Sequence, residues 1–242
     1  MSNRVDAPNP RILSRPTRLG QIGAARDQTH IAEKAAFRND VASGVVNIIA
    51  SAFAIAGFVV LVIRSSLALS QGSVGAAFIV AVSLYGACVI YRFVLASVAA
   101  FAGRHGALRA LDEAGTFFLP AGLVMPIAFS VLEGATRWIL FGIAWGYAFV
   151  GFLLYLAIVG WFRRYAISLG YTFFFVILPV LPQIREALGE LSFTWLFSGG
   201  ALYLVAIMFR GKDDFPYSGA LWHVFCLAGA GLQYAGISAL VS

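Results

Sequence analysis

The sequence predicts an all-α integral membrane protein with seven transmembrane helices, its N-terminus cytoplasmic and its C-terminus outside. Three observations lead there. The chain is 60% hydrophobic and only 12% charged, against about 25% charged in soluble domains, and its mean hydropathy is +0.85. Its 242 residues fall into seven apolar segments, each near the ~20 residues that cross a bilayer. Its basic residues gather on alternate sides of those segments. The net charge of +6 therefore reads as membrane orientation rather than as a nucleic-acid surface, and no nucleic-acid partner is expected.

Taken in order, residues 1–40 form a basic cytoplasmic tail. Pro8, Pro10 and Pro16 and the arginines at 4, 11, 15, 18 and 26 make its first part polar and irregular. Thr29 to Arg38 has helical spacing and suits an interfacial helix. A cleaved signal peptide is not expected, because the first apolar run starts near Val41 and continues at spanning length. Residues 41–242 form one membrane domain, with segments near 42–63, 74–102, 114–132, 138–161, 166–183, 193–209 and 218–241. The second exceeds what a bilayer needs and must tilt or protrude. Pro120, Pro126, Pro179 and Pro182 lie within or beside spans, where neighbouring helices can satisfy the freed carbonyls. With the N-terminus inside, thirteen of the 17 Lys and Arg residues lie inside. Arg64, Arg137 and Arg185 lie outside, and Arg92 sits within the second span. That asymmetry fixes the orientation, and the expected location is the inner membrane, as a multi-pass protein.

Polar side chains at membrane depth mark candidate sites, because burying them is expensive. Arg92 must reach water or pair with a carboxylate, and Asp112 and Glu113, in LDEAGTFFLPAG, are its natural partners. The bland reading is an ion pair that locks two helices; the functional one is an electrostatic site facing a cavity. In the last span Gly219, His223, Cys226, Ala230 and Gln233 share one helix face. Ser43, Asn47 and Ser51 form a polar stripe on the first span, which doubles as helix–helix glue. Cys88 and Cys226, the two cysteines, lie in apolar segments and suggest neither a disulfide framework nor a CxxC metal site. No Gly-rich phosphate loop, GxSxG or HExxH motif is present.

Three blocks carry a resemblance to a known family: LDEAGTFFLPAG, WLFSGGALYLVAIMF and FPYSGALWHVFCLAGAGLQYAGI. In order, spacing and topology, Val41 to Ile237 resembles hemolysin III proteins, the bacterial branch of the progestin and adipoQ receptor superfamily. The resemblance implies a zinc site near the cytoplasmic side, with one ligand from S-x3-H on the second span and two from H-x3-H on the seventh. It also implies an aspartate opening the third span that positions a water. Asp112 matches that aspartate and His223 the second histidine of H-x3-H. Gly219 stands at the first histidine's place, Cys88 and Arg92 stand where S-x3-H would be, and Asn47 replaces a first-span histidine. A guanidinium cannot ligate a metal and repels one, whereas zinc needs about three protein ligands.

The expectation is thus a hemolysin III-like membrane protein that has lost the zinc site and carries no cofactor. A polar cavity lined by Asn47, Arg92, Asp112 and His223 would serve membrane homeostasis or bind a lipid-like ligand. The candidate ligand-binding set is Asn47, Cys88, Arg92, Asp112, Glu113, His223 and Gln233, with membrane lipids as partners. Two alternatives stay open. One is a metal-dependent lipid amide hydrolase, with Asp112 and His223 catalytic, which requires metal ligands absent from the expected positions; an improvised zinc set of Cys88, Cys226, Asp112 and His223 is weighed separately. The other is a pore or transporter, for which no inverted repeat or polar ladder speaks.

Overall fold

A chain crossing hydrocarbon must satisfy its own backbone hydrogen bonds, and long apolar runs do so as helices. The computed structural model describes residues 18–102, 106–157, 165, 180–210 and 215–241, with side chains from residue 26 onward. Its helices are α1 (Arg18–Ser70), α2 (Ala76–Phe101), α3 (Gly106–Gly115), α4 (Phe118–Val131), α5 (Gly134–Ala157), α6 (Leu181–Ile207) and α7 (Ser218–Ser238), closed by a 3-10 turn at Ala239–Val241. Among the described residues, 6 helical stretches are long and apolar enough to span a membrane, α3 and α4 counting as one. The segment expected at 166–183 lies outside the described residues except for its end, which opens α6.

Two compact units divide the chain, residues 1–38 and 39–242. In the first, residues 26–38 are helical and exposed. In the second, large apolar side chains such as Phe53, Val60, Leu153 and Leu204 face outward, as a lipid-facing surface requires. The third span is the central one: 78% of its apolar window is buried, against 17% for the first. Ala121, Met125 and Ala128 are essentially inaccessible, and Pro126 is accommodated inside α4.

Close approaches set the helix order. A Cβ on Gly199 would lie 2.6 Å from the Gly229 carbonyl oxygen, and one on Gly229 would lie 2.9 Å from that of Gly199. The α6 and α7 backbones therefore touch, as small residues permit. Ser51 and Ser97 lie 3.4 Å apart and Gly44 packs on Phe101, so α2 runs antiparallel to the bundle part of α1. Gly219 faces Asn39 and Ser43 while Gly57 faces Tyr234, so α7 runs parallel to it. The α6 axis breaks at Gly189, where φ 72 and ψ 164 are accessible to glycine. The expected sixth span, 193–209, is thus the long arm of a kinked helix.

Candidate functional site

The site is built around the short helix α3. Its sequence, GALRALDEAG, is amphipathic, with Asp112 and Glu113 adjacent near its end. Adjacent residues point about 100° apart on a helix, and the two carboxylates accordingly serve different partners. Tyr91 on α2 donates its hydroxyl hydrogen to the Leu111 carbonyl at 3.2 Å, and its ring lies against Gly115 where a side chain would stand. This clamp holds α3 on α2. Asp112 then meets the Arg92 guanidinium in a direct ion pair, with the two side chains 3% and 16% exposed. Glu113 accepts from the Tyr155 hydroxyl of α5 and lies 3.2 Å from Arg210. The Arg210 guanidinium in turn stands 5.4 Å above the Trp222 ring of α7. A third pair, Arg109 with Asp40 of α1 at 2.9 Å, is about half exposed. Exposed pairs contribute little, whereas a buried pair is strongly destabilising to break.

A second polar group lies at the α1–α7 interface. The Gly219 amide donates to Asn39 Oδ1 at 3.1 Å, and Ser43 Oγ fills the space a side chain at 219 would need. One turn along each helix, Asn47 and His223 come level, because the two helices run in parallel. Asn47 is fully buried, and its Nδ2 donates to the Ser43 carbonyl at 2.9 Å. Among the described residues, neither its Oδ1 nor the buried Nδ1 of half-buried His223 has a hydrogen-bond partner.

Next to this group lies a cavity of about 440 Å³ between α1, α2 and α7. Its lining begins at Ala50, Leu227 and Phe93, one turn beyond Asn47 and His223 and beside Arg92. Gly57, Gly86 and Tyr234 line its far part. Phe53 and Val60, which also line it, face the lipid side, so it opens laterally. Its walls are mostly apolar, with Tyr85 and Tyr234 among them, and Asn47, Arg92, Asp112 and His223 are not among the lining residues. Arg92 and Asp112 are paired with each other instead of forming its walls.

The expected ligand-binding residues thus divide. Arg92, Asp112 and Glu113 share one charged cluster, whereas Asn47 on α1 and His223 on α7 each lie one turn beyond the approach of Ser43 to Gly219. Cys88 is buried beneath Gly122 of α4, and Gln233 is buried against Gly199 of α6; both are parts of helix packing. Tyr155, Arg210 and Asn39 belong to the network although the sequence did not single them out. Tyr155 is one aromatic among many in its span, and Arg210 reads as a topology-setting charge. Among the described residues, the donors named from the sequence do not come together as a three-ligand set. Arg92 is held by Asp112, position 219 is closed by Asn39 and Ser43, and no group of three or more His, Cys, Asp or Glu residues among those described is placed to hold a metal ion.

The family described as "Haemolysin-III related" matches residues 35–234. The chain is similar to Hemolysin-3 of Bacillus cereus, 26% identical over 202 residues that cover 81% of this chain and 89% of that protein. It is also similar to the Hemolysin-3 homolog of Bacillus subtilis strain 168, 25% identical over 127 residues, covering 52% and 60% of the two chains. No solved structure matches significantly.

Proposed function

This chain belongs to the haemolysin III-related family, and we propose that it is a metal-free member whose bundle holds a lipid-like ligand in the service of membrane homeostasis. The observation that carries the reading is the continuity of the polar end with the apolar cavity. On α1 the face bearing Asn47 continues into Ala50, Ala54 and Gly57, and on α7 the face bearing His223 continues into Leu227, Ala230 and Tyr234. Such a site suits a molecule with a polar head and an apolar tail, and its volume lies in the usual range for ligand pockets. Arg92 supports the metal-free reading: it supplies, as a fixed side-chain charge beside Asp112, the positive charge that an ion would otherwise provide.

Seven spans with the N-terminus inside the cell and the C-terminus outside belong to the same reading, as does residence in the inner membrane. The alternation of Lys and Arg supports this topology. Within it the α3 cluster and the polar end face the cytoplasm, and the cavity extends outward from them.

The test is to purify the full chain and measure metal and lipid together. Zinc well below one per chain, unchanged by His223→Ala, is the expected result, with lipid retained by the wild type and lost on Ala54→Phe, which fills the cavity. Stoichiometric zinc that disappears with His223→Ala overturns the metal-free reading. Lipid content unaffected by Ala54→Phe overturns the ligand site.

A further inference from the structure

We infer that the Tyr234 hydroxyl is a point at which the cavity itself recognises its ligand, and that this ligand is an uncharged lipid with a ketone or ester carbonyl in the part the cavity encloses. The inference deepens the lipid-site reading above and rests on it. It begins with the position of Tyr234 on α7. Its ring lies on Gly57 of α1, with Cε2 3.2 Å and Cζ 3.8 Å from where a Cβ at 57 would stand. Both residues line the cavity, so the hydroxyl that Cζ carries sits at its wall. Gly57 lies inside the uncharged run between Asp40 and Arg64, about two turns short of the arginine. A helical side chain leans towards the N-terminal end of its own helix. As α7 runs parallel to α1, Tyr234 leans away from Arg64 and into the apolar depth. Tyrosines of membrane helices usually carry their hydroxyls to the interface instead.

That hydroxyl is both unmatched and reachable. Among the described residues it has no hydrogen-bond partner, and it is not one of the unmatched atoms that burial closes off. Tyr85, the other tyrosine of the lining, differs, because its hydroxyl is closed off. A donor held in hydrocarbon without an acceptor is costly. The remaining lining side chains offer none, being Ala, Gly, Val, Leu and Phe. That composition sorts the ligands. A carboxylate or phosphate would bury its charge with no cation in the lining. A hydroxyl or amide accepts from Tyr234 but brings a donor of its own, for which the walls hold no open acceptor. A ketone or ester carbonyl only accepts, and leaves nothing unmatched. The lateral opening at Phe53 and Val60 admits such a molecule from the bilayer that dissolves it.

The experiment uses dioctyl ketone, isotopically labelled at its carbonyl carbon, and heptadecane, on the purified full chain in lipid nanodiscs. Neither has a head, so both read the cavity alone. Dissociation constants and the infrared band of the labelled carbonyl are the readouts. The ketone is expected to bind about tenfold tighter than heptadecane, the worth of one hydrogen bond, and its band to move to lower frequency on binding. Tyr234→Phe keeps the ring on Gly57 and removes only the hydroxyl. It should abolish the band shift and reduce the ketone to the affinity of heptadecane, leaving heptadecane and the probe-free melting temperature unchanged. Tyr85→Phe should alter neither readout; a loss there instead overturns the assignment to Tyr234. A band shift that persists in Tyr234→Phe, or equal binding of the two probes to wild type, overturns carbonyl recognition. A shift that survives Ala54→Phe places the hydroxyl against the surrounding bilayer and overturns it as well. In each of these cases the lipid site stands as long as Ala54→Phe removes the retained lipid. If neither probe binds wild type this inference fails, and if Ala54→Phe also leaves the retained lipid unchanged, the lipid-site reading fails with it.

Discussion

Replacing Arg92 with methionine tests how the charged cluster holds the bundle. The guanidinium is 3% exposed and its partner carboxylate on Asp112 is 16% exposed. Removing the cation leaves that carboxylate in a site it cannot leave, because Tyr91 holds α3 in place. Breaking a buried pair from one side costs about 3–5 kcal/mol. At roughly 2–4 °C per kcal/mol for a chain of this size, Arg92→Met should lower the melting temperature by about 6–20 °C. The control is Arg109→Met. Its pair with Asp40 is 47% and 42% exposed, so the loss should be under about 1 kcal/mol and under about 4 °C. The double replacement Arg92→Met with Asp112→Leu removes both charges and should recover most of the loss, since an apolar pair of similar volume is often no less stable. Thermal unfolding in detergent, followed by tryptophan fluorescence, reads all three. If Arg92→Met melts with Arg109→Met, or if the double variant is no better than the single, the cluster does not act as a buried ion pair.

The other predictions concern packing and backbone. Gly199→Val should disrupt the α6–α7 contact, because its Cβ would fall 2.6 Å from a backbone oxygen; a large loss of melting temperature is expected, while Gly142→Ala, whose Cβ would meet nothing within 4 Å among the described residues, should not lower it. Gly189→Ala forces a side chain into the φ 72 conformation and should cost about 1–3 kcal/mol, read in the same melting assay. Tyr155→Phe removes one donor to Glu113, but that carboxylate keeps Arg210 and remains partly exposed, so about 1 kcal/mol should be lost.

Much of the fold is legible in the sequence because lipid leaves the backbone few options. Length and apolarity alone delimit α2 and α5 to within about four residues, whereas α1 runs on to Ser70, past the expected end of the first span at 63. The partnership of Arg92 with the Asp112–Glu113 pair is also legible, since an arginine within a span needs a carboxylate. Which carboxylate it takes is not, because that depends on the Tyr91 clamp that orients α3, a contact between residues 20 positions apart. The break between α3 and α4 and the kink at Gly189 escape periodicity, as both lie within continuous apolar or mixed runs. Cys88 and Gln233 look like site residues by type and helix face, yet both face close neighbouring helices at Gly122 and Gly199. The approach distance of two helices, which decides between packing and a cavity, is not written in either one.

For the lipid-like ligand proposed above, the membrane decides how much the cavity can discriminate. In water, enclosing an acyl tail would gain about 0.8 kcal/mol for each buried methylene. Here the alternative surroundings of that tail are other lipid tails, as apolar as the walls formed by Ala54, Phe58 and Leu61, so tail burial yields little net gain. Shape can exclude tails that do not fit, but it cannot select strongly among those that do.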